Sequence, residues 1–214
     1  MKLYHKETAG ELWLGDCLEY MKTLPDKCFD LCLTDPPYGI GENYASYEDS
    51  QENLKKLIDS FMPELLRVSN VVLLTCGTKN IFLYPKPTWV MAWIDEAGAG
   101  MGSWGFACWQ PILCYGTDPF LKNRLGSRPD ILKSREQTKG FLEKSHPCAK
   151  PIDIWRRILL RGSTKDTDTI FDPFAGSGTT GRACKDLGRK FVMVEQEEKY
   201  CEIAKKRLEQ DVLF

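Results

Sequence analysis

The chain has 214 residues, 43% hydrophobic and 28% charged, with a formal net charge of −1. This composition predicts a folded α/β-sized globule and excludes a disordered or fibrous chain, while the near-zero charge excludes a globally basic nucleic-acid binder and leaves only local patches for that role. No stretch reaches the ~20 apolar residues of a membrane span, and the polar residues 1–10 predict no secretory leader.

Residues 11–16 predict a short strand ending in Gly15-Asp16, and residues 17–24 a helix stopped by Pro25. The run Phe29-Asp30-Leu31-Cys32-Leu33-Thr34 reads as a buried strand. It runs into Asp35-Pro36-Pro37-Tyr38, where two prolines end any hydrogen-bonded ladder. Apolar residues at helical spacing predict a helix over 53–68. The continuous apolar run 71–76, bounded by Gly77, predicts a strand covered on both faces. Two more strands are expected at 89–94 and 111–115, with a glycine-rich segment at 98–105 between them.

Residues 121–161 hold eleven basic and four acidic side chains, a local charge of +7 on a nearly neutral protein. A solvated face would account for such a run, and so would a phosphate-contacting segment. A helix follows Pro151 to about residue 160. Then come a strand at 169–172, a helix at 179–187, a strand at 190–195 and a helix at 197–210. This alternation implies one doubly wound, mostly parallel α/β domain over 1–214.

Nine cysteines occur without a Cys-x-x-Cys pair, and the two histidines, His5 and His146, lie far apart. Reduced thiols and no metal are therefore expected. Gly176, Gly178 and Gly181 form a G-x-G-x-x-G pattern between a strand and a helix, with Glu195 closing the next strand. Such a loop admits a nucleotide-like ligand, and the acid can accept from ribose hydroxyls. A mere tight turn is the plain alternative. Too little chain follows the loop for the second half of a dinucleotide fold, so the missing strands must come from upstream and the sheet is permuted relative to the chain.

With both stretches in view, the sequence resembles the β group of DNA amino-methyltransferases. Asp35-Pro36-Pro37-Tyr38 resembles their catalytic motif and Asp172-Pro173-Phe174-Ala175-Gly176-Ser177-Gly178-Thr179-Thr180 their cofactor loop. His146-Pro147-Cys148-Ala149-Lys150-Pro151 is similar to the segment preceding the cofactor-loop strand, and Gly15-Asp16-Cys17 to the stretch before the catalytic motif. The order, catalytic motif first and cofactor loop last, is that of the β group.

The resemblance implies a Rossmann-like methyltransferase fold with circularly permuted motifs. It implies S-adenosylmethionine as cofactor, S-adenosylhomocysteine as product, no metal, and double-stranded DNA as partner. A short target-recognition region is expected around 116–145, so a homodimer or an additional specificity partner could complete the interface. A cytoplasmic, prokaryotic or phage-encoded protein is implied, with no membrane partner.

Asp35, Pro36, Pro37 and Tyr38 are the expected catalytic residues. Asp35 and the Pro36 carbonyl would accept from the target amine, Pro37 would stiffen the turn, and Tyr38 would stack on the flipped base. The expected cofactor residues are Asp16, Cys17, Asp35, Lys150, Pro151, Asp172, Phe174, Ala175, Gly176, Ser177, Gly178, Thr179, Thr180, Glu195 and Gln196. Asp16 has an equally good reading as a helix N-cap, and Cys148 is read as incidental. Asp as the first motif residue favours adenine-N6 over cytosine-N4; RNA amines, a protein glutamine or an inert DNA reader are the other readings. Replacing Lys133 and Arg135 should weaken DNA binding for all sequences and flatten its salt dependence; unchanged affinity in a salt titration would remove them from the interface.

Overall fold

Strands β3 (Phe29–Thr34) and β4 (Ser69–Thr75) set the architecture through their alternation. Leu31, Leu33 and Leu73 point to one face of the sheet, while Cys32, Val72 and Leu74 point to the other. Both faces are apolar because both are covered, so these strands read as continuous runs rather than alternating ones. The computed structural model describes residues 1–42, 44, 47–95, 101–133 and 150–210.

In chain order, β1 (Lys2–Glu7) and β2 (Gly10–Leu14) precede α1 (Cys17–Lys22). Then come β3, α2 (Gln51–Val68), β4 and a 3-10 turn at Thr78–Leu83. The middle of the chain holds β5 (Trp89–Ile94), the short β6 (Met101–Gly102) and β7 (Gly105–Phe106), β8 (Trp109–Tyr115), α3 (Pro119–Lys122) and β9 (Ile131–Lys133). The last third holds α4 (Ile152–Gly162), β10 (Thr169–Asp172), α5 (Thr179–Asp186), β11 (Lys190–Glu195) and α6 (Glu198–Glu209). Helices α4, α5 and α6 pack on one face of the sheet and α1 and α2 on the other.

Among the described residues one sheet runs β1-β2-β11-β10-β3-β4-β8-β5-β9, and β6-β7 form a separate hairpin. From β2 to β4 the strands are parallel; β1 and β8 are antiparallel to their neighbours. The permutation expected from the sequence is present. The chain winds outward from β3 to β4 and from β10 to β11, so β3 and β10 meet at the switch point where ligands of open α/β sheets bind.

The strands and helices anticipated from the sequence recur with shifts of a residue or two at their ends. α2 starts at Gln51 rather than 53 because the Ser50 side chain accepts from the Asn53 amide. β1 was not anticipated: Lys-Leu-Tyr-His-Lys-Glu has no apolar run, since it is a half-exposed edge strand that shields β2. β9, at three residues, is too short to leave a pattern. The glycine-rich segment contains the β6–β7 hairpin; its residues 98–100 lie outside the described residues.

Two glycines of the G-x-G-x-x-G stretch, Gly178 before α5 and Gly181 within it, serve packing. Gly178 has φ +77°, and a Cβ there would lie 2.8 Å from Ala204 Cβ on α6. A Cβ on Gly181 would lie 2.5 Å from Met193 Cε on β11. Gly178→Ala should therefore cost roughly 1–3 kcal/mol of stability, read as a lower urea midpoint; an unchanged midpoint would mean α6 shifts freely.

Candidate active site

β3 delivers Asp35 to the C-terminal edge of the sheet, and the proline pair turns the chain so that Tyr38 folds back. The Tyr38 carbonyl accepts from Asn80 Nδ2 (2.7 Å) and Gln51 Nε2 (3.1 Å), which anchors the turn to the 3-10 segment and to α2. Beyond it, the buried Asp49 carboxylate accepts from the amides of Gly39, Ile40 and Glu42 (2.7, 3.0 and 3.1 Å).

The Asp35 carboxylate has three donors around it. Oδ1 accepts from the Tyr38 hydroxyl (2.7 Å) and, at very short range, from the Thr75 hydroxyl. Oδ2 faces Lys150 Nζ at 3.1 Å, with side chains only 19% and 13% exposed. Tyr38 also reaches Gln110 Oε1 (3.3 Å) on β8 and receives Lys150 Nζ (3.4 Å). One face of the Tyr38 ring carries the Lys150 ammonium, 4.9 Å from its centroid. Burial, and then the Asp35 charge, hold the Tyr38 hydroxyl well above the usual phenol range, so it stays a donor.

β10 brings Asp172 beside the end of β3. Its carboxylate accepts from the hydroxyls of Thr34 (2.7 Å) and Thr180 (2.5 Å) and from the Phe174 amide (3.0 Å). Burial pushes its pKa up to about 6 in spite of these three donors. β11 brings Glu195, whose Oε2 accepts from the Gly176 amide (2.8 Å) and Oε1 from the Glu197 amide (2.9 Å). Burial raises its pKa as well.

A cleft of about 1060 Å³, measured to its open mouth, runs across these strand ends. It brings together Asp16, Cys17, Asp35, Pro37, Lys150, Asp172, Phe174, Ala175, Gly176, Ser177, Thr179, Thr180, Glu195 and Gln196, nearly all the expected residues. Pro36, Tyr38, Pro151 and Gly178 do not line it. Pro151 begins α4 as its N-cap, and Gly178 packs on α6.

Asp16 does cap α1: its Oδ1 accepts from the amides of Leu18 (2.6 Å) and Glu19 (3.2 Å) while the residue also lines the cleft. The Cys17 thiol is pushed up to about 12 by burial and by the charge of Asp16, so it is protonated at neutral pH and no nucleophile. His146 to Ala149 lie outside the described residues. Among the described residues no group of three or more His, Cys, Asp or Glu could hold a metal ion.

Several residues at the site were not legible in the sequence. Thr75 ends the strand next to β3, so the rule that ligands sit at carboxyl ends of parallel strands could have found it. Gln110, Tyr44, Tyr47 and Trp155 arrive from an antiparallel strand, a loop and a helix with no local signature.

The basic segment is divided by the fold. Lys150 is in the site. Arg156 pairs with Asp186, and Arg161 makes a fork on Asp118 (3.1 and 2.5 Å). β8 runs antiparallel to β4, with Val72 opposite Tyr115, so exposed Lys122, Arg124 and Arg128 lie at the end of the sheet away from the cleft. β9 returns parallel to β5 and sets Lys133 beside Ile94, at the cleft end. Arg135, Lys139 and Lys144 lie outside the described residues.

Comparison with known proteins accords with this site. Residues 88–206 match the family model described as DNA methylase. The chain is 52% identical to the Type II methyltransferase M2.DpnII of Streptococcus pneumoniae, covering 97% of this chain and 92% of that protein. It is 25% identical to the Type II methyltransferase M.HinfI of Haemophilus influenzae, over 91% of this chain and 67% of that one. Among solved structures, the M1.HpyAVI–SAM complex superposes with a TM-score of 0.67 at 25% identity, over 94% of this chain and 100% of that one. The PvuII DNA methyltransferase (cytosine-N4-specific) superposes with a TM-score of 0.74 at 16% identity, over 100% of this chain and 91% of that one. The chain belongs to the S-adenosylmethionine-dependent DNA methylases that modify adenine N6 or cytosine N4.

The Asp172 pKa gives a pH signature. Its folded pKa, about 6, lies above the ordinary carboxylate value of 3.8, so the folded state binds the proton more tightly. The stability this group contributes is full below about pH 4 and is lost as pH rises through about 6. Asp172→Asn should remove that fall, roughly 1–3 kcal/mol, from urea midpoints taken between pH 4 and 7; parallel curves for the two proteins would refute it.

Proposed function

We propose that this protein transfers a methyl group from S-adenosylmethionine to the exocyclic N6 of adenine in double-stranded DNA, with the target base turned out of the duplex. The observation that carries this reading is that the Asp35-Pro36-Pro37-Tyr38 turn and the Asp172–Thr180 loop end adjacent parallel strands and open on one cleft.

The cleft suits this donor. The molecule carries hydroxyls, amines and a sulfonium charge, and the cleft offers the carboxylates of Asp16, Asp35, Asp172, Glu195 and Glu197 with apolar faces on Phe174, Trp155 and Tyr200. Glu195 is held rigid by two amides, and each of its oxygens keeps a second lone pair for a ribose hydroxyl. Asp16 would take the adenine amine on the oxygen its capping bonds leave over. Cys17 and Gln196 would flank that end, and Ala175, Ser177, Thr179 and Lys150 the methionine side. The bound cofactor supplies an activated methyl on a positively charged sulfur.

The work of the chain is then to present a poor nucleophile in line. The amine lone pair is delocalised into the base ring. Two acceptors, the Asp35 carboxylate and the Pro36 carbonyl, draw its hydrogens out of the ring plane and localise the pair. To reach Asp35 the amine takes the place of the Tyr38 hydroxyl, which frees the ring to stack on the base. The proton lost from the methylated nitrogen passes toward Asp35. Proximity of this kind contributes about 7–11 kcal/mol in favourable cases.

Asp35 as first motif residue favours adenine as the target. The family itself spans adenine N6 and cytosine N4, and the likeness to the cytosine-N4-specific PvuII enzyme, at 16% identity, reaches the fold alone. Relatives that are Type II methyltransferases support a place in restriction–modification. Among the described residues no helix is long and apolar enough to cross a membrane, which suits a cytoplasmic enzyme. A single domain over 1–214 completes the reading, with recognition contacts supplied in part by a second copy or a partner.

Incubating unmethylated mixed-sequence duplex DNA with protein and S-adenosylmethionine, then digesting to nucleosides for mass spectrometry, should yield N6-methyladenine. N4-methylcytosine would change the base and keep the mechanism; neither product would overturn the reading. Asp35→Ala should lower transfer about 10²–10³-fold or more with donor affinity nearly unchanged in calorimetry; joint loss of both would sink its role.

A further inference from the structure

The β6–β7 hairpin leaves three large apolar side chains uncovered within six residues: Met101 is 71% exposed, Phe106 75% and Trp104 completely. Scattered exposed apolar residues need no explanation, but a cluster at the tip of one hairpin does.

Its placement narrows what could cover it. β5 and β8 are antiparallel, with Ile94 opposite Trp109, and β8 is antiparallel to β4, with Thr75 opposite Ile112. The open end of the β5–β8 pair therefore lies at the edge of the sheet that carries Asp35, Thr75 and Asp172. The Asp95 amide donates to the Cys108 carbonyl (3.0 Å) and closes the base of the hairpin at that edge. Gln110, four residues past Phe106, touches the Tyr38 hydroxyl. Lys133, exposed at the end of β9, stands beside Ile94 at the same edge. The stretch 101–107 itself carries no charged side chain, so burying its tip strips no ion of water.

We propose that this hairpin is a DNA wedge: Trp104, flanked by Phe106 and Met101, enters the base stack beside the target and holds open the gap that the extruded base leaves. The inference rests on the DNA-methylase reading and adds to it the element that opens the duplex. Apolar side chains inserted between base steps offset part of the cost of unstacking, and an indole face suits any neighbouring base because every base has a π-face. The place of the hairpin at the sheet edge that carries Asp35 and Thr75, where a target base has to arrive, favours the DNA substrate over a second copy of this chain as occupant.

Trp104→Ala tests this, since a side chain in open solvent can be removed without disturbing the core; urea midpoint and donor affinity should match the wild type. The first readout is unwinding of closed circular plasmid DNA, relaxed by a topoisomerase in the presence of protein. Wild type should unwind it and the variant should not. The second is kcat/KM on a duplex holding the site that the wild type modifies in that plasmid, compared with the same duplex mispaired at the target. The variant should lose about ten- to hundredfold on the matched duplex, the size of one base–aromatic stack, and less than about threefold on the mispaired one, whose base is already loose. Equal losses on both duplexes, or unwinding by the variant, would overturn the wedge. So would a change in oligomeric state on substitution, seen by sedimentation, which would assign the hairpin to a subunit interface. Unwinding requires no methyl transfer, so failure of the wedge and failure of the methyltransferase reading are separate results.

Discussion

The site depends on one buried carboxylate. Asp172 takes the hydroxyl of Thr34 from β3 and that of Thr180 from α5, and Thr180 in turn accepts from the indole of Trp155 on α4 (2.8 Å). Four elements are joined through this group, and Asp35 follows Thr34 directly. A carboxylate out of water is costly unless its lone pairs are filled. Here three donors fill them, and the part of the cost they leave appears as a raised pKa. The arrangement fixes the relative position of the Asp35 turn and the glycine loop, the two pieces whose separation the proposed in-line transfer would require to be set.

Asp35 shows the complementary condition. Thr75, Tyr38 and Lys150 surround it. In the function proposed above, an acceptor held by rigid donors would need little reorganisation to take a base amine in place of one of them, which is the sense in which preorganised polar groups accelerate a reaction. On that reading the donor exchanged is Tyr38, whose hydroxyl has Gln110 as a second acceptor nearby. Thr75 is fixed at a strand end, and Lys150 balances the charge.

The charge of the chain has a similar logic. A segment of local charge +7 suggests one continuous phosphate-binding face, but the fold spends two of its arginines on Asp186 and Asp118 and one lysine on Asp35. Three more stand at the far end of the sheet. Among the described residues of the segment, Lys133 on β9 and Arg157, which donates to the Lys133 carbonyl, stand beside the β5 end that carries the aromatic hairpin.

The amino-acid sequence alone determined most of the elements, β1 and β9 excepted, and the two motifs. Apolar runs, proline stops and a glycine-rich strand–helix junction are local patterns, and they placed β3, β4, β10 and β11 within a residue or two. The order of the motifs already required a permuted sheet. Only the tertiary structure decided the partners. Thr34 meets Asp172 across 138 residues and Lys150 meets Tyr38 across 112, and pairings at such distances follow from strand order and register, which no local pattern encodes. The same holds for Gly178, whose small size serves the approach of α6, and for the hairpin, whose bearing on the cleft rests on β8 running against β4.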